Sequence, residues 1–473
     1  MRNARLAIVL AACYALLAPG VSPAQTWTQI KNASVDVDAM NTPLTATNIP
    51  MSGKDNIDVY ATWGDDTTPR VASCGPVVNT TCPTFTGWVK INTLSGFNFG
   101  TESAVGWGTT PSNAHRAVFV TAQDVEYATR DGNQAWSHWT SLGTPPANGP
   151  CLLSGPQAIS QAKNMISVFL VGADCNLWIN YFPKQGTTNS WSGWLNLTVG
   201  PGSPLSNNIQ SVGSQGSSMA VVYSNLNTGN PKQTALNQIH VLVVDNSQNV
   251  WDVNYYDDAT IDYDPDPTTG SWSLTDTNVT VEPNSGGWNA IGAAVSPPQA
   301  IAVFADQGTV SSTAGFQAPL LGQQLIEEDG SLPSTTGAIT VNGPFEDDDD
   351  FLAAPVPVTF GKQDANCNSS RACKNAVFFI TDIPGGPNGN TKGGNIRYSI
   401  WGVDVPADAW NLTVGTNGIK MVGTASDVFN ANPAAVVSQD GATVYVFAAR
   451  TNPTLCVQSG DDCGSVYYAR FTP

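Results

Sequence analysis

The stretch "GPQAISQAKNMISVFLVGADCNLWINYFPKQGTTNSWSGWLNLTVG", residues 155–200, decides the fold. It divides into four short runs: "GPQAISQ", "ISVFLVGAD", "NLWINYF" and "SWSGWLNLTVG". Each run is rich in β-branched or aromatic residues, and Gly, Asn, Asp and Pro separate them, which is the pattern of strands and tight turns rather than helices. Four such strands in succession make one propeller-type blade.

The same order recurs on both sides of this unit. Small-residue first strands read "ESAVGWG" (102–108), "WNAIGAA" (288–294), "AAPVPVTFG" (353–361) and "NPAAVVSQ" (432–439). Apolar second strands read "IDVYATW" (57–63), "AVFVTA" (117–122), "AIAVFAD" (300–306), "AVFFITD" (376–382) and "TVYVFAAR" (443–450). Third strands read "VEYATRDG", "NVWDVNYY", "NIRYSIWG" and "SVYYARF". Innermost strands crowd around an axis and need small residues, whereas bulky ones fill the space between blades further out. Self-similarity at this period is the mark of a repeat architecture. In residues 207–277, both "MAVVYSN" and "HVLVVDN" read as a second strand, so an inserted hairpin or long loop is expected there.

The last repeat, ending on "SVYYARF", has no fourth strand after it, and "TWTQI" near the start of the chain supplies one. The fourth strands are then "TWTQI", "GWVKINTL" (87–94), "AWSHWTSLG" (135–143), "SWSGWLNL", "SWSLTDT" (271–277), "GAITVNG" (337–343) and "AWNLTVG" (409–415). The expectation is an all-β, seven-bladed propeller of four-stranded blades, its ring closed by the N-terminal strand so that no open sheet edge remains.

The phrase "VFLVGADCNLWINYF…WSGWLNLTVG" resembles the repeat of secreted seven-bladed propeller lectins of the fucose-binding and related bacterial type. Their blades read roughly V-F-x-x-G-x-D-x-x-L-W followed by W-S-x-W-x-x-L-G. Residues 165–200 match this well, 117–143 moderately and the other repeats loosely. The resemblance implies a non-catalytic, carbohydrate-binding protein whose partner is a glycan or glycoconjugate. It also implies pockets that take an Arg and a Glu from the blades, and only "VEYATRDG" offers that combination, as Glu126 and Arg130 beside Trp136 and Trp139. Trp178 and Trp194 complete the candidate carbohydrate-binding set, since an aromatic face suits the apolar side of a pyranose. A tryptophan recurring at a fixed place in each blade is read first as packing between blades.

Residues 1–24 carry Arg2 and Arg5, an apolar run from Leu6 to Leu17 and small residues at Ser22 and Ala24, the pattern of a secretory signal cleaved before Gln25. "LAAC" ending at Cys13 resembles a lipoprotein box, but the apolar "YALLAPG" follows where a polar tether belongs. Residues 25–473 are read as one domain, secreted or periplasmic, with no second apolar run long enough to span a bilayer. The net charge of −18 repels nucleic acid and anionic lipid. The other eight cysteines fall into near pairs, read as disulfides: Cys74 with Cys82, Cys151 with Cys175, Cys367 with Cys373 and Cys456 with Cys463.

The residues offer two other chemistries. "TRDGNQAW" (129–136) overlaps the Asp-box turn of sialidase-type propellers, but Asn133 stands in place of its Gly, and no motif assembles the arginines, Tyr and Glu of such a reaction. A propeller glycoside hydrolase is therefore the alternative reading, with a cell-surface or matrix interaction scaffold beside it. "DDATIDYDPDPTTG" places Asp262, Asp264 and Asp266 in one turn, a spacing suited to Ca²⁺ as cofactor. It lacks the Gly and bidentate Glu of an EF-hand and reads first as a solvated acidic loop.

Overall fold

A computed structural model describes residues 26–30, 44–49, 55–62, 68–77, 82, 84–92, 102–108, 114–121, 124–132, 134–145, 148–161, 165–183, 190–198, 203–210, 219–224, 237–257, 265–268, 272–281, 291–295, 301–311, 317–326, 339–341, 355–360, 374–382, 394–402, 419–424, 426–429, 433–451 and 464–471. They form seven four-stranded antiparallel sheets, the blades of a β-propeller.

Blade 1 comprises β2 (Thr45–Asn48), β3 (Asp55–Thr62), β4 (Pro69–Val77) and β5 (Val89–Lys90). Blade 2 follows with β6 (Ser103–Trp107), β7 (His115–Thr121), β8 (Val125–Asp131) and β9 (Thr140–Ser141). Blade 3 is β10 (Gln157–Ser160), β11 (Ile166–Val171), β12 (Leu177–Phe182) and β13 (Leu195–Asn196), the four runs of the opening stretch. Blade 4 is β14 (Met219–Ser224), β15 (Asn237–Val244), β16 (Asn249–Asp257) and β17 (Trp272–Thr280). Blade 5 is β18 (Ile291–Val295), β19 (Ile301–Ser311), β20 (Gln317–Ile326) and β21 (Ile339–Val341). Blade 6 is β22 (Val356–Phe360), β23 (Lys374–Asp382), β24 (Gly394–Gly402) and β25 (Ile419–Met421). Blade 7 holds β26 (Ala434–Val437), β27 (Val444–Thr451) and β28 (Gly464–Phe471), and its outer strand is β1 (Thr28–Gln29).

Two strand assignments differ from the sequence reading. "MAVVYSN" is the innermost strand of blade 4 and "HVLVVDN" its second, so both belong to the four strands of the blade, and the residues that connect them lie outside the described ones. The side chains of β14 are as bulky as those of a second strand, and composition alone could not separate the two. In blade 6 the strand paired with β24 is Ile419–Met421 rather than "AWNLTVG" (409–415), which lies outside the described residues.

The innermost strands touch in cyclic order, β2 to β6, β10, β14, β18, β22, β26 and back to β2. Crowding there is tight enough to demand glycine. A Cβ on Gly106 would collide with the Ile49 side chain of blade 1, and one on Gly292 with the Pro355 carbonyl of blade 6. Second strands are buried on both faces: every residue of β3 and of β11 is buried. A strand sandwiched between neighbouring blades has no solvent face, hence the continuous apolar runs rather than strict alternation.

The core is consequently a series of layers between blades. Ile57, Val59 and Ala61 of blade 1 pack on Tyr445 and Phe447 of blade 7, and Phe169 and Ile179 of blade 3 on Ile239 and Val241 of blade 4. Blade 7 is completed by the first strand: Thr28 pairs with Tyr468 and Gln29 with Tyr467. The Ile30 amide donates to the Val466 carbonyl at 2.9 Å, and Gln29 Nε2 to Ser465 Oγ at 2.9 Å.

Two of the four expected disulfides fall in described residues, and both are present, Cys74–Cys82 and Cys151–Cys175. The cysteine pairs at 367/373 and 456/463, and the signal segment 1–24, lie outside them. No helix among the described residues is long and apolar enough to cross a membrane.

The turn between β15 and β16 is held by one carboxylate. Asp245 Oδ1 accepts from the Ser247 and Asn249 amides at 2.8 and 2.9 Å, and Oδ2 from Trp251 Nε1 at 3.0 Å. Burial raises the carboxyl's pKa, but these hydrogen bonds, with those from the Asn249 side chain, outweigh it and leave it below its usual value. A depressed carboxylate stabilises the fold above the unfolded pKa of ~4, and that stability is lost as pH falls through the folded value. Asp245→Ala is expected to cost ~2–3 kcal/mol at pH 7. In urea titrations, the gap between variant and parent should narrow as pH is lowered from 5 to 3.

Candidate functional site

The six residues singled out for carbohydrate binding divide between two blade boundaries. Strand β8 alternates faces. Ala128 packs with Tyr60 and Val71 of blade 1, whereas Val125 meets Leu170 and Trp178 of blade 3. Glu126 and Arg130 share the parity of Ala128 and flank it, roughly 13 Å apart along the strand at ~3.3 Å per residue, too far for an ion pair. Glu126 is half-buried, and burial together with the nearby Asp124 raises its pKa. Arg130, also half-buried, donates from Nε to the Gln134 carbonyl at 2.8 Å. Its two Nη groups have no partner among the described residues.

The tryptophans show why they recur. Just before the fourth strand of blade 2, Trp139 donates from Nε1 to the Ile91 carbonyl at 2.9 Å, just past the fourth strand of blade 1. Trp194 of blade 3 repeats this on Leu142 of blade 2 at 3.1 Å, and Trp27 of blade 7 on Val422 of blade 6 at 2.9 Å. Each indole N–H thus staples its blade to the preceding one. Three residues earlier in the motif, Trp136 packs edge-on against Tyr60 of blade 1, and Trp191 against Phe119 and Tyr127 of blade 2. Trp178 is buried and donates from Nε1 to Asp174 Oδ1 at 3.0 Å, which fixes the β11–β12 turn.

The structure therefore puts Trp136 and Trp139 at the boundary between blades 1 and 2, on the side where the parity of β8 also places Glu126 and Arg130, while Trp178 and Trp194 sit at that between blades 2 and 3. Trp136 and Trp178 are nearly inaccessible; Trp139 and Trp194 are half-buried.

Of the carboxylates considered for Ca²⁺, Asp262 and Asp264 lie outside the described residues. Asp266 closes its own turn by accepting from the Thr268 amide at 2.8 Å and hydroxyl at 2.7 Å. Among the described residues no group of three or more His, Cys, Asp or Glu is placed to hold a metal ion.

Sequence reasoning missed Glu102. It stands at the entry to β6, is 4% exposed, and lines a cavity of about 260 Å³ on the propeller axis. The Thr62 hydroxyl donates to its Oε2 at 2.8 Å, whereas Oε1 is buried without a partner. Burial pushes this carboxyl up to about 8, against the lowering effect of the Thr62 bond. A charged residue opening a small-residue inner strand was the one available signal.

No family model matches the chain, and no curated protein matches it in sequence. Among solved structures it is similar to the BP39L lectin from Burkholderia pseudomallei, with a TM-score of 0.55 and 15% identity over 92% of this chain and 97% of that one. It is also similar to AofleA from Arthrobotrys oligospora, with a TM-score of 0.42 and 12% identity over 85% and 94%. A third is the six-bladed fungal lectin from Aleuria aurantia, with a TM-score of 0.41 and 12% identity over 83% and 99%. The first of these similarities shows a shared overall fold.

Proposed function

We propose that this protein is a secreted, non-catalytic, carbohydrate-binding propeller lectin of seven blades, engaging a glycan at the boundary between blades 1 and 2. The observation that carries the site is Arg130: one N–H is spent on Gln134 and the Nη groups are left for a ligand, on the strand face that packs toward blade 1, where the half-buried Trp139 also lies. A guanidinium fork next to an aromatic face suits the hydroxyls and apolar side of a pyranose. The likeness to a protein described as a lectin favours this class over a hydrolase. Export to an oxidising space fits the two disulfides.

The test is a glycan array on the exported protein, followed by titration of the best ligand into Arg130→Ala. Loss of at least tenfold in affinity is expected, with stability changed by less than about 1 kcal/mol, as at other half-exposed positions. An unaltered affinity moves the site elsewhere on the ring; a parent that binds no glycan overturns the lectin reading.

A further inference from the structure

We infer that the axial cavity is a second binding site, for a small aliphatic ammonium ion held by Glu102. This inference is independent of the glycan reading.

The cavity lies where the innermost strands begin. Every blade contributes to it, from Leu44 of blade 1 and Gln157 of blade 3 through Met219 and Ile291 to Pro355 and Pro433. Its walls combine aliphatic side chains with Thr45, Gln157 and backbone polar groups, and Glu102 is the one charged side chain among the described lining residues. Thr62 faces Glu102 from the end of β3 and satisfies Oε2; nothing satisfies Oε1. A buried polar atom without a partner costs free energy in proportion to its desolvation, and a donor arriving from a ligand recovers that cost.

The donor set selects the ligand. A hard divalent cation takes six or more oxygens, and one carboxylate with neutral neighbours does not supply them. A pyranose or quaternary ammonium would call for aromatic faces, and the described lining residues include no aromatic ring. A primary ammonium with a short alkyl body needs one carboxylate, neutral oxygens for its remaining N–H donors and an apolar patch. Glu102, the neutral polar groups with Thr45 and Gln157, and the aliphatic side chains offer these. The volume lies just under the ~300–1,000 Å³ of drug-sized sites, which limits the body to a few carbons.

Charge balance gives the site a signature. Burial favours the protonated form of Glu102 at neutral pH, and an incoming ammonium favours the carboxylate, so binding at pH 7 releases the carboxyl proton to solvent. Above pH 8 the carboxylate is already formed, and binding should tighten without proton release.

Isothermal titration with n-butylammonium chloride, and with n-butanol as neutral counterpart, tests this in the full chain. The amine is expected to bind at least tenfold more tightly than the alcohol. Heats at pH 7 in two buffers of different ionisation enthalpy should report proton release approaching one per site, vanishing at pH 9. Glu102→Gln should abolish the preference for the amine. Ala435→Leu, which fills the cavity from blade 7, should weaken both ligands and provides a second test should the first variant fold poorly. Equal affinity for amine and alcohol, absence of proton release, or retained amine preference in Glu102→Gln would each overturn the proposal. Tighter binding of Na⁺ or Ca²⁺ than of the amine would reassign the site to a metal ion.

Discussion

A chain lacking residues 25–31 is expected to lose several kcal/mol of stability and to associate through the bared edge of β28. That edge is now covered by β1, and Trp27 anchors the cover: its ring packs 4.5 Å from that of Phe429, and its indole bonds to Val422 of blade 6. Full truncation of a buried aromatic costs about 3–5 kcal/mol. Trp27 is half-buried, so Trp27→Ala alone should fall near the lower end, and the deletion should exceed it because strand pairing and Ile30 burial go as well. An uncovered strand is a template for another chain. Guanidinium melts and sedimentation on both variants check this; a deletion variant as stable and monomeric as the parent would separate closure from stability.

The second large effect is expected at Arg116. Its Nε donates to Asp58 Oδ2 across the boundary between blades 1 and 2, and its Nη2 donates to Asn56 Oδ1 at 3.0 Å. Both partners of the ion pair are buried. Breaking such a pair strands a carboxylate in the interior and costs about 3–5 kcal/mol, whereas replacing both ions by neutral groups is often nearly neutral. Arg116→Met should therefore be strongly destabilising, and Asp58→Asn in the same chain should restore much of the loss. The double-mutant cycle in urea measures the coupling; additive losses would mean that the two groups act separately.

The parts of the fold that were legible from sequence are those governed by local periodicity. Runs such as "ISVFLV" and "TVYVFAAR" have no polar alternation because both faces are buried, and turn residues bracket them on either side. Closure by "TWTQI" was legible because the last repeat is one strand short. Residues 219–224 were not, since an inner strand and a second strand can share composition and differ only in their neighbours. The recurring tryptophans announced themselves but not their role: an indole that staples Trp139 to Ile91 and one that floors a sugar pocket have the same sequence signature. Glu102 was invisible for a related reason, as its burial comes from the meeting of seven strand ends distant in sequence.

The mixed composition of blade 7 bears on how the molecule is made. Gln29 and Ser465 are 436 residues apart, yet they hydrogen-bond within one sheet. A ribosome emits β1 before every other strand and β28 after them all, so β1 emerges with no partner and must travel unpaired until the final repeat appears. Blades 1 to 6 contain their own four strands and can each pair internally as they emerge. Ring closure is thus a late, long-range event, with the loop-closure entropy of nearly the entire chain against it unless the intermediate blades have already stacked. Until then the protein is an open arc with a free strand at one end and a three-stranded sheet at the other, and it is in this interval that a holdase would have the most to protect.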